Sequence, residues 1–318
     1  MSFTLRVLLV FHPSGVTIKF AGMGVNVKDL FDEDFLKRLE HLRLVSRKMR
    51  TGKNSGERRS PLKGQSVEFA DFRNYSSGDD FRYIDWNSYA RTEKLFVKLF
   101  MEEQDLLLNI FIDVSKSMSW GEPPKERLAL QLAAAFSYLA LAAYDRVAIA
   151  ACSEQLAAYQ APLRGKTGID QAWTFLAQLS FAGSTNLNQA LLEYGRFSRG
   201  PGVALLISDL LSPHGFQDGV KFLQYLRQEV IVLQLLAPEE INPTLHGDWR
   251  LLDSESGESR EISASPRLLK AYRKKLDDFT EANRDFCFRR GIGFLQVSSA
   301  TPFEELLLQL LPRAGILA

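Results

Sequence analysis

The sequence predicts an α/β fold in which a doubly wound, mostly parallel sheet follows a small β-rich N-terminal appendage. Three observations carry this expectation. Residues 106–112 form an apolar run broken only by Asn109, as a strand buried on both faces of a parallel sheet requires. Beyond it, β-favouring runs alternate with helical periodicities. Before it, residues 67–108 mix short β-favouring runs with turn residues, notably Ser76-Ser77-Gly78-Asp79-Asp80 and then Phe81 to Trp86.

In chain order, residues 1–28 hold two short apolar runs, 6–11 and 16–20, expected to form an extra hairpin or an extension. From 29 to 49, Leu30, Phe31, Phe35, Leu39, Leu42 and Val45 recur at three- and four-residue steps, the face of an amphipathic helix. Residues 51–60 read as a loop rich in Gly, Ser, Asn and charge. The expected division is therefore 1–28, an appendage of helix and strands at 29–104, and a main domain at 105–318. Within that domain, strands are expected at 106–112, 146–152, 202–208, 229–236 and 292–297, and helices at 168–179, 187–197 and 215–226. An insertion at about 240–290 combines a hairpin turning on Ser254-Glu255-Ser256-Gly257-Glu258 with a long charged helix over 266–290. A last helix spans 302–311.

Composition narrows the function classes. Among 318 residues, 46% are hydrophobic and 24% charged, with a formal net charge of +1, so the chain has no bulk attraction for nucleic acid or membrane. Cys152 and Cys287 are its only cysteines and form no zinc spacing, which suits a reducing compartment and predicts a cytoplasmic protein. His12, His41, His214 and His246 are scattered, which argues against histidine-based metal or base chemistry. The apolar run at 7–11 is too short for a signal peptide. The run at 128–144 contains Gln131 and Ser137 and is bracketed by Lys125, Glu126 and Arg127 on one side and Asp145 and Arg146 on the other; it reads as a buried helix starting at Pro123-Pro124.

Open parallel sheets bind ligands at the carboxyl ends of their strands, and Asp113-Val114-Ser115-Lys116-Ser117 stands where the first buried strand ends. A carboxylate and two hydroxyls on one tight loop are hard oxygen donors that suit Mg²⁺ or Mn²⁺. One loop cannot fill six positions, and Thr185, just before a helix, and Asp209, at the end of another buried strand, are placed to add donors. Taken alone, the Asp113 loop is equally a helix N-cap.

Asp113-x-Ser115-x-Ser117 with Thr185 and Asp209 resembles the metal-ion-dependent adhesion site of von Willebrand factor A domains. The resemblance implies that Ser115, Ser117 and Thr185 lend hydroxyls to the ion, that Asp113 and Asp209 hold it directly or through water, and that a partner carboxylate completes the shell. The string from Gly64 through Asp71-Phe72-Arg73-Asn74-Tyr75, Gly78-Asp79-Asp80-Phe81-Arg82-Tyr83-Ile84-Asp85-Trp86 and Ala90-Arg91 resembles the bacterial domain-of-unknown-function 58 family, over about 29–311. That resemblance implies a von Willebrand factor A-like domain and a non-enzymatic adaptor working with a MoxR-type AAA+ ATPase on an unidentified client complex.

Other chemistries are weaker. Arg164-Gly165-Lys166-Thr167 imitates the end of a P-loop, but the required earlier glycine is Gln160. A metal-dependent phosphohydrolase built on Asp113 would find Ser115 where the general acid belongs, and there is no G-x-S-x-G elbow. The basic segment 43–63, with Arg58 and Arg59, could neutralise phosphates but lacks stacking aromatics. The Gly78-Asp79-Asp80 turn is expected to be structural, with Asp85, Arg73 and Arg91 bracing the appendage through ion pairs.

Overall fold

The computed structural model describes residues 8–11, 68–101, 106–198, 200–245, 247–253 and 259–317. The chain divides into two compact units, 50–105 and the remainder. The expected helix at 29–49, the run at 16–20 and the basic segment 43–63 lie outside the described residues.

In chain order the elements begin with β1 (Leu8–Phe11), then β2 (Glu68–Asn74), α1 (Trp86–Thr92) and β3 (Phe96–Met101). Next come β4 (Leu107–Asp113), α2 (Lys125–Ala142), β5 (Arg146–Cys152), β6 (Leu156–Arg164), α3 (Thr167–Ala177) and α4 (Leu187–Tyr194). They are followed by β7 (Gly202–Ser208), α5 (Gln217–Tyr225), β8 (Gln228–Leu236) and α6 (Pro238–Ile241). The last are β9 (Gly247–Asp253), β10 (Ser259–Ala264), α7 (Pro266–Arg289) and β11 (Gly293–Ser298), with short helical turns over 303–313.

In the 50–105 unit, β2 and β3 pair antiparallel with a bulge between Phe69 and Asp71. Residues 81–86 do not form a strand: a 3-10 turn at Phe81–Tyr83 and the start of α1 at Trp86 flank extended Ile84, which bridges to Val97, and Asp85. Two aspartates cause this, because Asp80 accepts from the Arg82 N–H and Asp85 from the Asn87 N–H, each capping a helical turn. Of the residues expected to brace the appendage, Arg73 forms an ion pair. Arg73 pairs with Asp79 at 2.7 Å and Arg82 with Asp80 at 2.6 Å, while Asp85 takes the Ser88 hydroxyl at 2.7 Å.

The larger unit is built on a six-stranded sheet in the order β11-β8-β7-β4-β5-β6. Every neighbouring pair is parallel except β5 and β6. The doubly wound fold that the sequence predicts is therefore present, with one antiparallel edge strand that the sequence reading did not assign. In β4 and β7 every residue is buried, because helices cover both faces. The period-two alternation of the strands feeds two separate cores. Leu108, Ile110, Ile112, Val203, Leu205 and Ile207 pack with α2 and α3 on one side; Phe111, Ala204 and Leu206 pack with α4, α5 and the Cys287 face of α7 on the other.

Gly202 opens β7 where the backbone of β4 approaches closest: a Cβ there would stand 2.3 Å from the Leu107 carbonyl oxygen. Gly202→Ala is expected to destabilise the protein by about 1–3 kcal/mol through this overlap. A lower urea midpoint at unchanged m would report it.

β9 and β10 pair antiparallel as the expected hairpin requires, its turn at 254–258 lying outside the described residues, and the long charged helix follows as α7. The N-terminal run is a strand that pairs with β9, Leu8 opposite Asp253, while the run at 16–20 lies outside the described residues. Among the described residues no helix is long and apolar enough to cross a membrane.

Candidate metal centre

The sheet reverses its winding direction at β4, whose neighbours are β5 and β7, and the carboxyl ends of β4 and β7 flank the resulting crevice. Asp113 is the last residue of β4, Ser208 the last of β7, and Asp209 follows it. Topology alone thus brings together two carboxylates that lie far apart in sequence.

The loop after β4 folds over its own aspartate. Asp113 Oδ1 accepts the Ser115 N–H at 3.0 Å, and Asp113 Oδ2 accepts the Ser208 hydroxyl at 2.6 Å. The hydroxyls of Ser115 and Ser117 are 3.1 Å apart, and Ser117 donates to Asp209 Oδ2 at 2.8 Å. Ser115 is the N-cap of the 3-10 turn Lys116–Ser119, yet its hydroxyl makes no cap hydrogen bond. The Asp113 carboxylate does satisfy a backbone N–H as a capping loop would, whereas the Ser115 hydroxyl faces the oxygen cluster.

The loop that carries Thr185 is held beside the Asp113 loop by backbone hydrogen bonds. The Lys116 N–H donates to the Gly183 carbonyl at 3.0 Å and the Ala182 N–H to the Val114 carbonyl at 2.9 Å, stitching the two loops together. The Asn186 N–H donates to Ser153, and the Ser184 hydroxyl to Glu154, tying the loop also to the end of β5. Asp113, Ser115, Ser117, Thr185 and Asp209 are all buried, while Lys116, Ala182 and Gly183 in the same loops are exposed.

Two residues of the site escaped the sequence reading. Ser208 bridges the strands, accepting the Leu210 N–H at 2.9 Å while donating to Asp113. Lys125, which reads in the sequence as a charge flanking an apolar helix, is fully buried as the first residue of α2. Its ammonium donates to Asp209 Oδ2 at 2.8 Å and to Glu240 Oε1 at 2.7 Å. Glu240 Oε2 in turn accepts the Ala237 N–H at 2.7 Å, which orients it on α6. A lysine at a helix N-terminus opposes the helix dipole, so its position just after Pro123-Pro124 was the available signal that something else holds it.

Burial governs the electrostatics. Asp113 is pushed up to about 6 by burial first and by the Asp209 charge second, against the pull of its hydrogen bonds. Burial alone would lower Lys125, but the Asp209 and Glu240 carboxylates outweigh it and hold the ammonium above its usual range. Glu240 is raised by burial, partly offset by Lys125. Cys152 lies beside Asp113 in register, and burial drives its thiol up, which removes it as a nucleophile or thiolate ligand.

The donor set is chemically suited to a small hard cation: two carboxylates and clustered hydroxyls, with neither imidazole nor thiolate among them. Among the described residues no group of three or more His, Cys, Asp or Glu is placed to hold a metal, so the hydroxyls of Ser115, Ser117 and Thr185 would have to contribute. Counting Asp113, Asp209 and Glu240 against Lys125, the ionised cluster carries two net negative charges. One divalent ion would balance it.

A family model described as "Protein of unknown function DUF58" matches residues 71–282. Uncharacterized proteins of Mycobacterium bovis and Mycobacterium tuberculosis are 28% identical over 262 residues, covering 80% of this chain and 79% of theirs. Among solved structures, BatB from Bacteroides thetaiotaomicron aligns at 18% identity and a TM-score of 0.41, covering 66% of this chain and 98% of its own. A von Willebrand factor type A protein from Catenulispora acidiphila aligns at 13% identity and a TM-score of 0.37, covering 69% and 43%.

Proposed function

This chain belongs to the DUF58 family, and from that premise we propose that it is a metal-dependent protein–protein interaction module rather than an enzyme. The observation that carries the reading is the buried oxygen cluster at the sheet's switch point, where Asp113, Ser115, Ser117 and Asp209 are linked and the Thr185 loop is stitched alongside. In this reading those five residues hold Mg²⁺ or Mn²⁺, and the bound ion offers a coordination position to an acidic side chain of a partner. Asp113 and Asp209 supply the charge, and the Ser208 hydroxyl and the Ser115 N–H fix how the Asp113 carboxylate is presented. Exposed Lys116 in the same loop favours an acidic partner. The partner proposed is a MoxR-type AAA+ ATPase, with the pair acting as adaptor and motor on a client complex. Two free, buried cysteines accord with a cytoplasmic location.

The test is Mg²⁺ and Mn²⁺ calorimetry on wild type and Asp113→Ala, followed by capture of a purified MoxR-type ATPase with and without EDTA. Metal binding lost in Asp113→Ala, with capture that EDTA abolishes, is the expected result. Capture indifferent to EDTA would overturn the metal-dependent mechanism. Phosphate-ester turnover that Asp113→Ala removes would replace it with a phosphohydrolase.

A further inference from the structure

Lys125 is the one buried residue of the site whose charge repels a cation, and it touches the same Asp209 oxygen that accepts the Ser117 hydroxyl. Its side chain and those of its partners Asp209 and Glu240 are almost wholly inaccessible, at 0%, 0% and 5% exposure. A fixed ammonium at this distance does two opposite things. It neutralises part of the carboxylate charge when no ion is present, and it opposes a divalent ion when one arrives.

We propose that Lys125 is a built-in counter-ion: it keeps the Asp209 and Glu240 end of the site assembled without metal, and it lowers divalent-cation affinity so that the bound ion is exchangeable. The inference rests on the reading of the oxygen cluster as a metal site. Three negative charges shared with one lysine leave a cluster that attracts a divalent ion, whereas three without it would grip the ion far more tightly. Glu240 serves the lysine rather than the ion in this arrangement. It bonds Lys125 and the Ala237 N–H, and no hydrogen bond joins it to the Asp113 loop among the contacts found in the described residues.

The experiment titrates Mn²⁺ into wild type, Lys125→Met, the double variant Lys125→Met/Glu240→Gln and Asp113→Ala. Binding is followed by the loss of the free-ion electron paramagnetic resonance signal, and thermal unfolding is measured in EDTA and in saturating Mn²⁺. The double variant guards against misfolding, because it removes the lysine together with the charge of the carboxylate whose Oε1 the lysine satisfies. The expected result is Mn²⁺ affinity at least about tenfold tighter in Lys125→Met than in wild type, with the double variant, which keeps the wild-type net charge but frees Asp209 from the ammonium, between the two. Wild type should stay folded in EDTA, and the gain in melting temperature from Mn²⁺ should be larger in both lysine variants. Equal or weaker affinity in both lysine variants, with wild type still binding and Asp113→Ala not, overturns the role of Lys125 and leaves the metal site standing. Absence of Mn²⁺ binding in all four proteins overturns both.

Discussion

Lys125→Met is expected to lower the unfolding free energy in EDTA by about 3–5 kcal/mol, the usual cost of removing one partner from a buried ion pair. The variant matches the lysine stem in volume, so the loss is not a cavity effect. It leaves Asp209 Oδ2 and Glu240 Oε1 without the donor that each accepts from at under 3 Å. Glu240, already raised by burial, can take up a proton and recover part of the loss, which places the expectation toward the lower end of the range at mildly acidic pH. Lys125→Met/Glu240→Gln should lose less than Lys125→Met alone, because one of the two stranded charges is gone. The two variants and Glu240→Gln form a double-mutant cycle, and urea denaturation measures it. A loss below about 1 kcal/mol for Lys125→Met would mean that solvent reaches the carboxylates and that the site is not closed in solution.

Asp113→Asn carries the second large effect, and in the opposite direction. In EDTA at neutral pH it is expected to raise the unfolding free energy by about 1–2 kcal/mol while abolishing Mg²⁺ binding. The wild-type carboxyl, pushed up to about 6 from an ordinary 3.8, pays roughly 3 kcal/mol to be ionised in the fold. The amide keeps the shape and can still accept the Ser115 N–H, but it loses one acceptor, which offsets part of the gain. Because the folded value is raised, this group's contribution to stability is intact below about 4 and is lost as pH rises through about 6. The advantage of Asp113→Asn should therefore vanish near pH 4 and be complete above pH 7. Saturating Mg²⁺ should reverse the ranking at neutral pH, since only wild type gains ligand stabilisation. An asparagine variant less stable than wild type in EDTA at every pH would contradict the burial penalty.

Strands buried on both faces lie within a residue or so of where the sequence places them. Strands expected at 146–152 and 202–208 are β5 and β7, and the run at 106–112 is β4 displaced by one residue. β6 went unassigned because it is an edge strand with most of its residues partly exposed, so it carries no continuous apolar run. Residues 81–86 misled the reading because Phe81, Tyr83, Ile84 and Trp86 favour strands, whereas the aspartates before each turn cap helices. No local pattern points from the N-terminal run to β9, because β1 takes that partner more than two hundred residues away.

What the sequence by itself determined is therefore the periodicity of the sheet, the place where its first strand ends, and the oxygen-rich candidates Asp113, Ser115, Ser117 and Asp209 at strand ends, with Thr185 just before a helix. Those are local properties, written in runs of a few residues. What only the tertiary structure decided is the charge of the site. Lys125 stands 84 residues from Asp209 and 115 from Glu240, and in the sequence it is one more polar residue at a helix end. Strand order sets where Asp209 emerges beside Asp113, and burial of Lys125, Asp209 and Glu240 together excludes the water that would otherwise hydrate the ammonium. Burial then turns an ordinary lysine into a fixed positive charge, because in a medium of low dielectric its only stable solvation is the two carboxylates it touches.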